Sequence, residues 1–209
     1  MTNVTTIGFF TLQNVAGFDE DKLFEATKAF FNISAEDKKS VAMRHHNKEN
    51  ANYYRGLTPF QDNDPAHKEM YEMGMPYELI SEEEKENCLS EPTPFPARDD
   101  LQWVKKVFED QYKLMQKTAL KLCEYLALGL GKDRFFFHPW FEKDAMSTQR
   151  VIHILPRATG IVDSSKLNEN ERKLTTPEHC DSGFLTILST LMFPGLQVEI
   201  DGEFRSIKP

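Results

Sequence analysis

Between Leu101 and Leu126 the apolar residues Leu101, Val104, Phe108, Tyr112, Met115, Ala119, Leu122 and Leu126 advance by 3, 4, 4, 3, 4, 3 and 4. Such a stripe predicts a helix from about Arg98 to Leu130, packed lengthwise on something large. Gly129 or Gly131 can end it, since glycine takes the left-handed conformation of a helix C-terminus at little cost. An aromatic cluster follows, Phe135, Phe136, Phe137, Trp140 and Phe141, and beyond it the period changes from 3.6 to 2. Helices and irregular segments first and strands last predict an α+β chain.

The segment before the long helix is less regular. Ile7–Leu12 reads as a short buried strand and Asn14–Gly17 as a turn. Asp19 can cap a helix that places Leu23, Phe24, Thr27, Phe30 and Phe31 on one face, and Ser34 can cap a second, shorter one. Tyr53–Pro59 reads as extended, Lys68–Gly74 as a strand, and Ser81–Asn87 as a solvated helical turn. Pro92, Pro94 and Pro96 make a stiff connection. After the long helix, Gln149–Pro156 is a strand. Gly195–Ile200 and Glu203–Ile207 form a hairpin about Asp201-Gly202, a dipeptide suited to the left-handed turn of a two-residue loop.

Composition narrows the function classes. A chain of 209 residues can bury one sizeable core. Its net charge is −8 and no run of Lys or Arg makes a basic patch, which excludes nucleic acid as an expected partner. No apolar stretch approaches a membrane span, and Met1–Gln13 lacks a basic leader with an apolar core. Three irregularly spaced cysteines, Cys88, Cys123 and Cys180, argue for reduced thiols and a cytoplasmic setting. Cys180 reads as a small buried filler.

One stretch carries candidate chemistry: Thr176-Pro177-Glu178-His179-Cys180-Asp181-Ser182-Gly183-Phe184-Leu185-Thr186-Ile187-Leu188. On a strand, His179 and Asp181 project to the same side. An imidazole beside a carboxylate supplies two legs of a facial site whose usual occupant is non-haem Fe(II). Chance alone gives about 0.4 His-x-Asp matches in such a composition, so a metal-free His and Asp at a strand end is the competing reading. His45, His46, His67 and His138 read as exposed or capping residues.

Several segments, in order, resemble the isopenicillin N synthase-like branch of the 2-oxoglutarate/Fe(II)-dependent dioxygenases. Gly8-Phe9-Phe10 resembles its N-terminal strand. Tyr54-Arg55-Gly56-Leu57-Thr58-Pro59 is similar to its Arg-Gly-Tyr-x-Pro segment, and Lys68-Glu69-Met70-Tyr71-Glu72-Met73-Gly74 to its Lys-Glu-x-Phe-Asp-x-Gly segment. Arg150-Val151-Ile152-His153-Ile154-Leu155-Pro156 resembles the Leu-Arg-x-x-x-Tyr-Pro strand. His179-x-Asp181 with Gly183 and Leu185–Leu188, then Gly195–Val198, resembles the metal strand and its successor.

The resemblance implies a double-stranded β-helix (jelly-roll) core, incomplete at the C-terminus, with an α-helical N-terminal part and a long supporting helix. It divides the chain into residues 1–97, the N-terminal region, and 98–209, the supporting helix and partial oxygenase domain. It makes His179 and Asp181 iron ligands, His153 a cosubstrate or pocket residue, and Arg150 and Thr186 candidate substrate contacts. Arg150 can equally pair with an acid at the barrel end, and Tyr54 and Arg55 could approach the barrel mouth. The implied requirements are Fe(II), 2-oxoglutarate and O2, with a small organic molecule as substrate.

The departures are expectations too. The family's distal His and its Arg-x-Ser clamp for 2-oxoglutarate would lie beyond Pro209, and a strand and helix would precede Gly8, so the chain reads as truncated at both ends. Leu155 stands where many relatives have Tyr, and His153 where several have Asn. An inactive remnant acting as a binding module, self-associating through open sheet edges, is the alternative. A hydrolytic zinc site lacks a full ligand set.

Overall fold

The computed structural model describes residues 8–61, 67–143, 146–155, 176, 178–191 and 193–207. Helix α1 spans Glu20–Phe31, and Asp19 caps it, its carboxylate accepting from the Lys22 N–H at 3.0 Å. Leu23, Ala26, Thr27, Phe30 and Phe31 form its buried face. Helix α2, Ala35–Ser40, starts at Ser34, whose hydroxyl accepts from the Asp37 N–H at 3.0 Å. Both caps stand where the sequence places them. Each satisfies an amide that the first turn leaves without a partner.

Strands β1 (Gly56–Thr58) and β2 (Lys68–Met73) follow, with a short helix α3 at Glu82–Lys85. The long helix α4 runs Gln102–Gly129, entered through a 3-10 turn at Asp99–Leu101. Gly131, at φ +67°, carries the chain out of the helix in the left-handed region that favours glycine. A one-turn helix α5, His138–Phe141, precedes strand β3 at Gln149–Ile154. Strands β4 (Gln197–Ile200) and β5 (Glu203–Ser206) close the described chain. Their turn residues Asp201 and Gly202 have φ +54° and +81°, the conformation expected of a two-residue hairpin loop.

Strands β1, β2 and β3 form one antiparallel sheet in that order, with Tyr71 opposite both Leu57 and Val151. The face bearing Glu69, Tyr71 and Met73 is buried against α1 and the first half of α4. Phe30 lies 4.2 Å from the Tyr71 ring and 5.8 Å from Phe108, centroid to centroid. Both sides of the expected division at 97/98 contribute to this core. The opposite face of β3 carries Arg150, Ile152 and Ile154 outward.

Along α4 the first half of the expected stripe is buried, at Leu101, Val104, Phe108 and Tyr112. In the second half the buried residues are Cys123, Glu124 and Ala127, while Leu122 and Leu126 are only half-buried. The line shifts because the neighbour changes. The distal half packs against the turn at 133–141, which Glu124 grips through Arg134 at 2.7 Å and Gln116 through the Phe141 carbonyl at 2.7 Å.

Two expected strands are not formed. Ile7 lies outside the described residues, and 8–12 carry no strand; Gly8 sits at φ +70°. The stretch 178–190 is also without strand structure. Leu185 and Ile187 are half-buried between exposed Thr186 and Leu188, so the period-2 alternation survives. A strand additionally needs a partner ladder for its amides, and none is present among the described residues.

Arg98 joins α2 to the start of α4, donating to Asp37 at 3.0 Å and to Asp100 at 2.6 Å. The Ser34 hydroxyl, then Arg98, hold the Asp37 carboxyl below its ordinary value of 3.8. A depressed acid binds fewer protons folded than unfolded, so its contribution is complete above 3.8 and lost as pH falls through the folded-state value. Asp37→Asn is therefore expected to lower the melting temperature at neutral pH, with the gap from the parent protein closing in acid. Thermal melts of both proteins across the acid range check this.

Candidate metal site

The side chains of His179 and Asp181 lie together, with Nε2 3.3 Å from Oδ1. Two cis ligands with bonds near 2.1 Å stand about 3 Å apart, so this spacing suits two donors on one ion. An imidazole nitrogen with a carboxylate oxygen is a donor set that Fe(II) accepts. Both side chains are about half exposed, 58% and 51%. Among the described residues no group of three or more His, Cys, Asp or Glu gathers to complete a ligand set.

Side chains on several elements hold this segment. Upstream, the Lys68 ammonium of β2 donates to the Thr176 hydroxyl at 3.0 Å. Downstream, the Phe184 ring lies 4.8 Å from Phe137 and 5.1 Å from Phe141, nearly parallel to the latter. Further on, the Ser189 hydroxyl donates to Glu20 of α1 at 3.3 Å, and Phe193 meets Phe24 at 5.9 Å. Leu191 packs on the core. The sequence reading missed Phe184; an aromatic residue three positions after Asp181, with the cluster at 135–141 in view, was the available signal.

The support under Phe184 is itself braced. Glu124 is held by Lys121 at 2.8 Å and Arg134 at 2.7 Å, and these keep its carboxyl below the usual carboxylate range. His138, expected to be exposed or capping, instead lies largely buried between Glu124 and Glu142, at 3.7 and 3.3 Å. The α5 turn folds it back onto α4.

The other candidates separate. His153 faces the helices: its Nδ1 is 2.8 Å from Glu69 Oε1 and its ring 5.2 Å from Phe31. Glu69 is 3% exposed and also takes the Lys38 ammonium on both oxygens at 2.9 Å. Glu69, ion-paired with Lys38, accepts, so His153 Nδ1 is the donor of this pair. This arrangement gives His153 a hydrogen-bonding partner inside the fold; period 2 puts it on the face opposite Arg150.

Arg150 pairs with Glu72 across the strands, the structural option the sequence left open. Thr186 is exposed. Arg55 is 7% exposed, donates to the Thr148 hydroxyl at 2.6 Å and sits against Gly74. Burial pulls its pKa below the usual arginine value. Cys180 is exposed rather than a buried filler.

A family profile described as the N-terminal domain of the non-haem dioxygenase in morphine synthesis matches residues 3–106. Gibberellin 20 oxidase 2 of Arabidopsis thaliana is 36% identical over 104 residues, half of this chain and 25% of that protein. Isopenicillin N synthase of Amycolatopsis lactamdurans is 26% identical over 201 residues, 93% of this chain and 60% of that one. Among solved structures, a full-length Neurospora crassa protein in complex with alpha-KG and 5-formyluracil aligns with all of this chain and 60% of its own. Its TM-score is 0.69 at 23% identity. A 2OG-Fe(II) oxygenase family protein from Caulobacter crescentus gives a TM-score of 0.60 at 23% identity, over 77% of this chain and 52% of its own. The chain thus spans less than two thirds of each of these relatives, and the structural likenesses show a shared fold.

Proposed function

We propose, from the premise that this chain belongs to the isopenicillin N synthase-like family of 2-oxoglutarate/Fe(II)-dependent dioxygenases, that it serves as a non-haem iron oxygenase acting on a small organic molecule. The observation that carries this reading is the meeting of His179 Nε2 and Asp181 Oδ1 at 3.3 Å in the segment that resembles the family's metal strand. The three-stranded sheet and the β4–β5 hairpin are read as parts of a double-stranded β-helix, with α4 as its supporting helix.

In this reading His179 would donate an imidazole lone pair to the metal and Asp181 a carboxylate oxygen, whose charge would offset half that of a divalent ion. Iron held there would, with 2-oxoglutarate and O2, supply the oxidative chemistry that removes hydrogen from carbon. The chain's own part is to hold two donors at ligand spacing on a braced segment and to leave their outer side open. The small-molecule class is supported by relatives named for gibberellin and isopenicillin N, and by the Neurospora crassa fold neighbour seen with thymine. Nucleic acid is disfavoured by the net charge of −8. No described helix is long and apolar enough to cross a membrane.

Anaerobic titration with Fe(II) and 2-oxoglutarate is expected to give the weak visible charge-transfer band of the chelated metal. His179→Ala and Asp181→Ala are each expected to abolish it at the same concentrations. A band that survives His179→Ala overturns the ligand assignment, and no band in the unaltered chain overturns the reading.

A further inference from the structure

We propose that the aromatic turn at 135–141 is the support that sets the spacing of the His179–Asp181 pair, with Phe184 as the positioning residue that transmits it. This rests on the reading of that pair as iron ligands. The pair sits in a segment with no strand pairing among the described residues, and the contacts that hold it there are made by side chains. Phe184 is the nearest of the aromatic anchors, three residues beyond Asp181. Its ring meets two others, Phe137 at 4.8 Å and Phe141 at 5.1 Å with 30° between planes. It does so while 53% exposed, so the contact is local and stands outside the main core.

The support is rigid for identifiable reasons. The Phe141 carbonyl accepts from Gln116 and Arg134 donates to Glu124, so both ends of the turn are tied to α4. Phe136 and Trp140 pack at 5.5 Å behind it. An aromatic pair adds interaction beyond its area burial. Two such contacts hold the main chain beside Asp181 where free rotation would otherwise scatter the donors. Groups that orient ligands without touching the metal typically change affinity by about 10–100-fold when removed.

Phe184→Ala is therefore expected to weaken Fe(II) binding about tenfold, at the low end of that range because the ring is half exposed. The readout is the charge-transfer band and the metal dissociation constant in the presence of 2-oxoglutarate. Phe184→Leu, which keeps an apolar body on the support, is expected to restore most of the affinity. Phe141→Ala should mimic Phe184→Ala, and the double variant should be little worse than either single one, since both break the same contact. The melting temperature is expected to stay near that of the parent, which separates positioning from loss of fold. If Phe184→Ala binds Fe(II) as tightly as the unaltered chain, the positioning role is wrong while the ligand assignment stands. If Leu is as poor as Ala while the parent binds, apolar support is also the wrong account. If the unaltered chain gives no band, the ligand reading fails and this inference goes with it.

Discussion

Replacing Phe30 by alanine is expected to destabilise the protein by about 3–5 kcal/mol, the range for deleting a fully buried aromatic ring. Phe30 has no exposed surface. Its ring lies 4.2 Å from Tyr71, 5.4 Å from Phe31, 5.8 Å from Phe108 and 5.9 Å from Phe95, so one side chain joins α1, β2, α4 and the proline segment. Neighbours spread over separate elements cannot all move in to fill the gap, which places the loss toward the upper part of the range. Against a total stability of about 5–15 kcal/mol, such a loss leaves little. Chemical denaturation measures it. Phe24, on the same helix but half-buried and touching Phe193 alone among aromatic rings described, is the control, with an expected loss of about 1 kcal/mol when truncated. Equal losses at the two positions would contradict the placement of the core.

Glu69→Ala is expected to cost about 3 kcal/mol, the low end for breaking a buried ion pair. Glu69 alone is deeply buried; the Lys38 and His153 side chains retain 23% and 40% exposure and regain water when it is lost. That recovery is why the low end applies. Glu69→Gln keeps the shape but loses the charge and one acceptor, so it should fall between Ala and the parent. Lys38→Met placed on Glu69→Ala should change stability little further, because the freed ammonium has already regained water. Denaturant midpoints of the four proteins check the scheme, and a Glu69→Ala change within about 0.5 kcal/mol of zero would refute it. The same variants bear on His153. If its role is to lock Glu69 and brace Phe31, His153→Ala lowers stability and leaves the Fe(II)/2-oxoglutarate band in place.

Legibility in the sequence followed the range of the forces involved. Asp19 and Ser34 were readable as caps because the amides they satisfy lie three residues away. The proximal stripe of α4 and the Asp201-Gly202 turn were readable for the same reason: helical period and left-handed φ are local properties. His179 and Asp181 meet at 3.3 Å even though the expected strand itself did not form.

Other features depended on which segments meet. Strand status at 8–12 and 178–190 turns on a partner ladder, which the sequence of either segment cannot reveal. The shift of the buried line to Cys123 and Ala127 follows from α4 changing neighbours midway. The partner that His153 takes, Glu69, was set by the register of β2 against β3. The contact between Phe184 and the aromatic turn joins segments more than forty residues apart and shows no periodic signature. From its residues alone the chain determined its helix ends, its strand-like alternations and its pair of candidate ligands, since short stretches of backbone obey local sterics. Only the tertiary structure decided which histidine serves the core and which faces solvent, because burial and ion pairing depend on groups that the sequence keeps far apart.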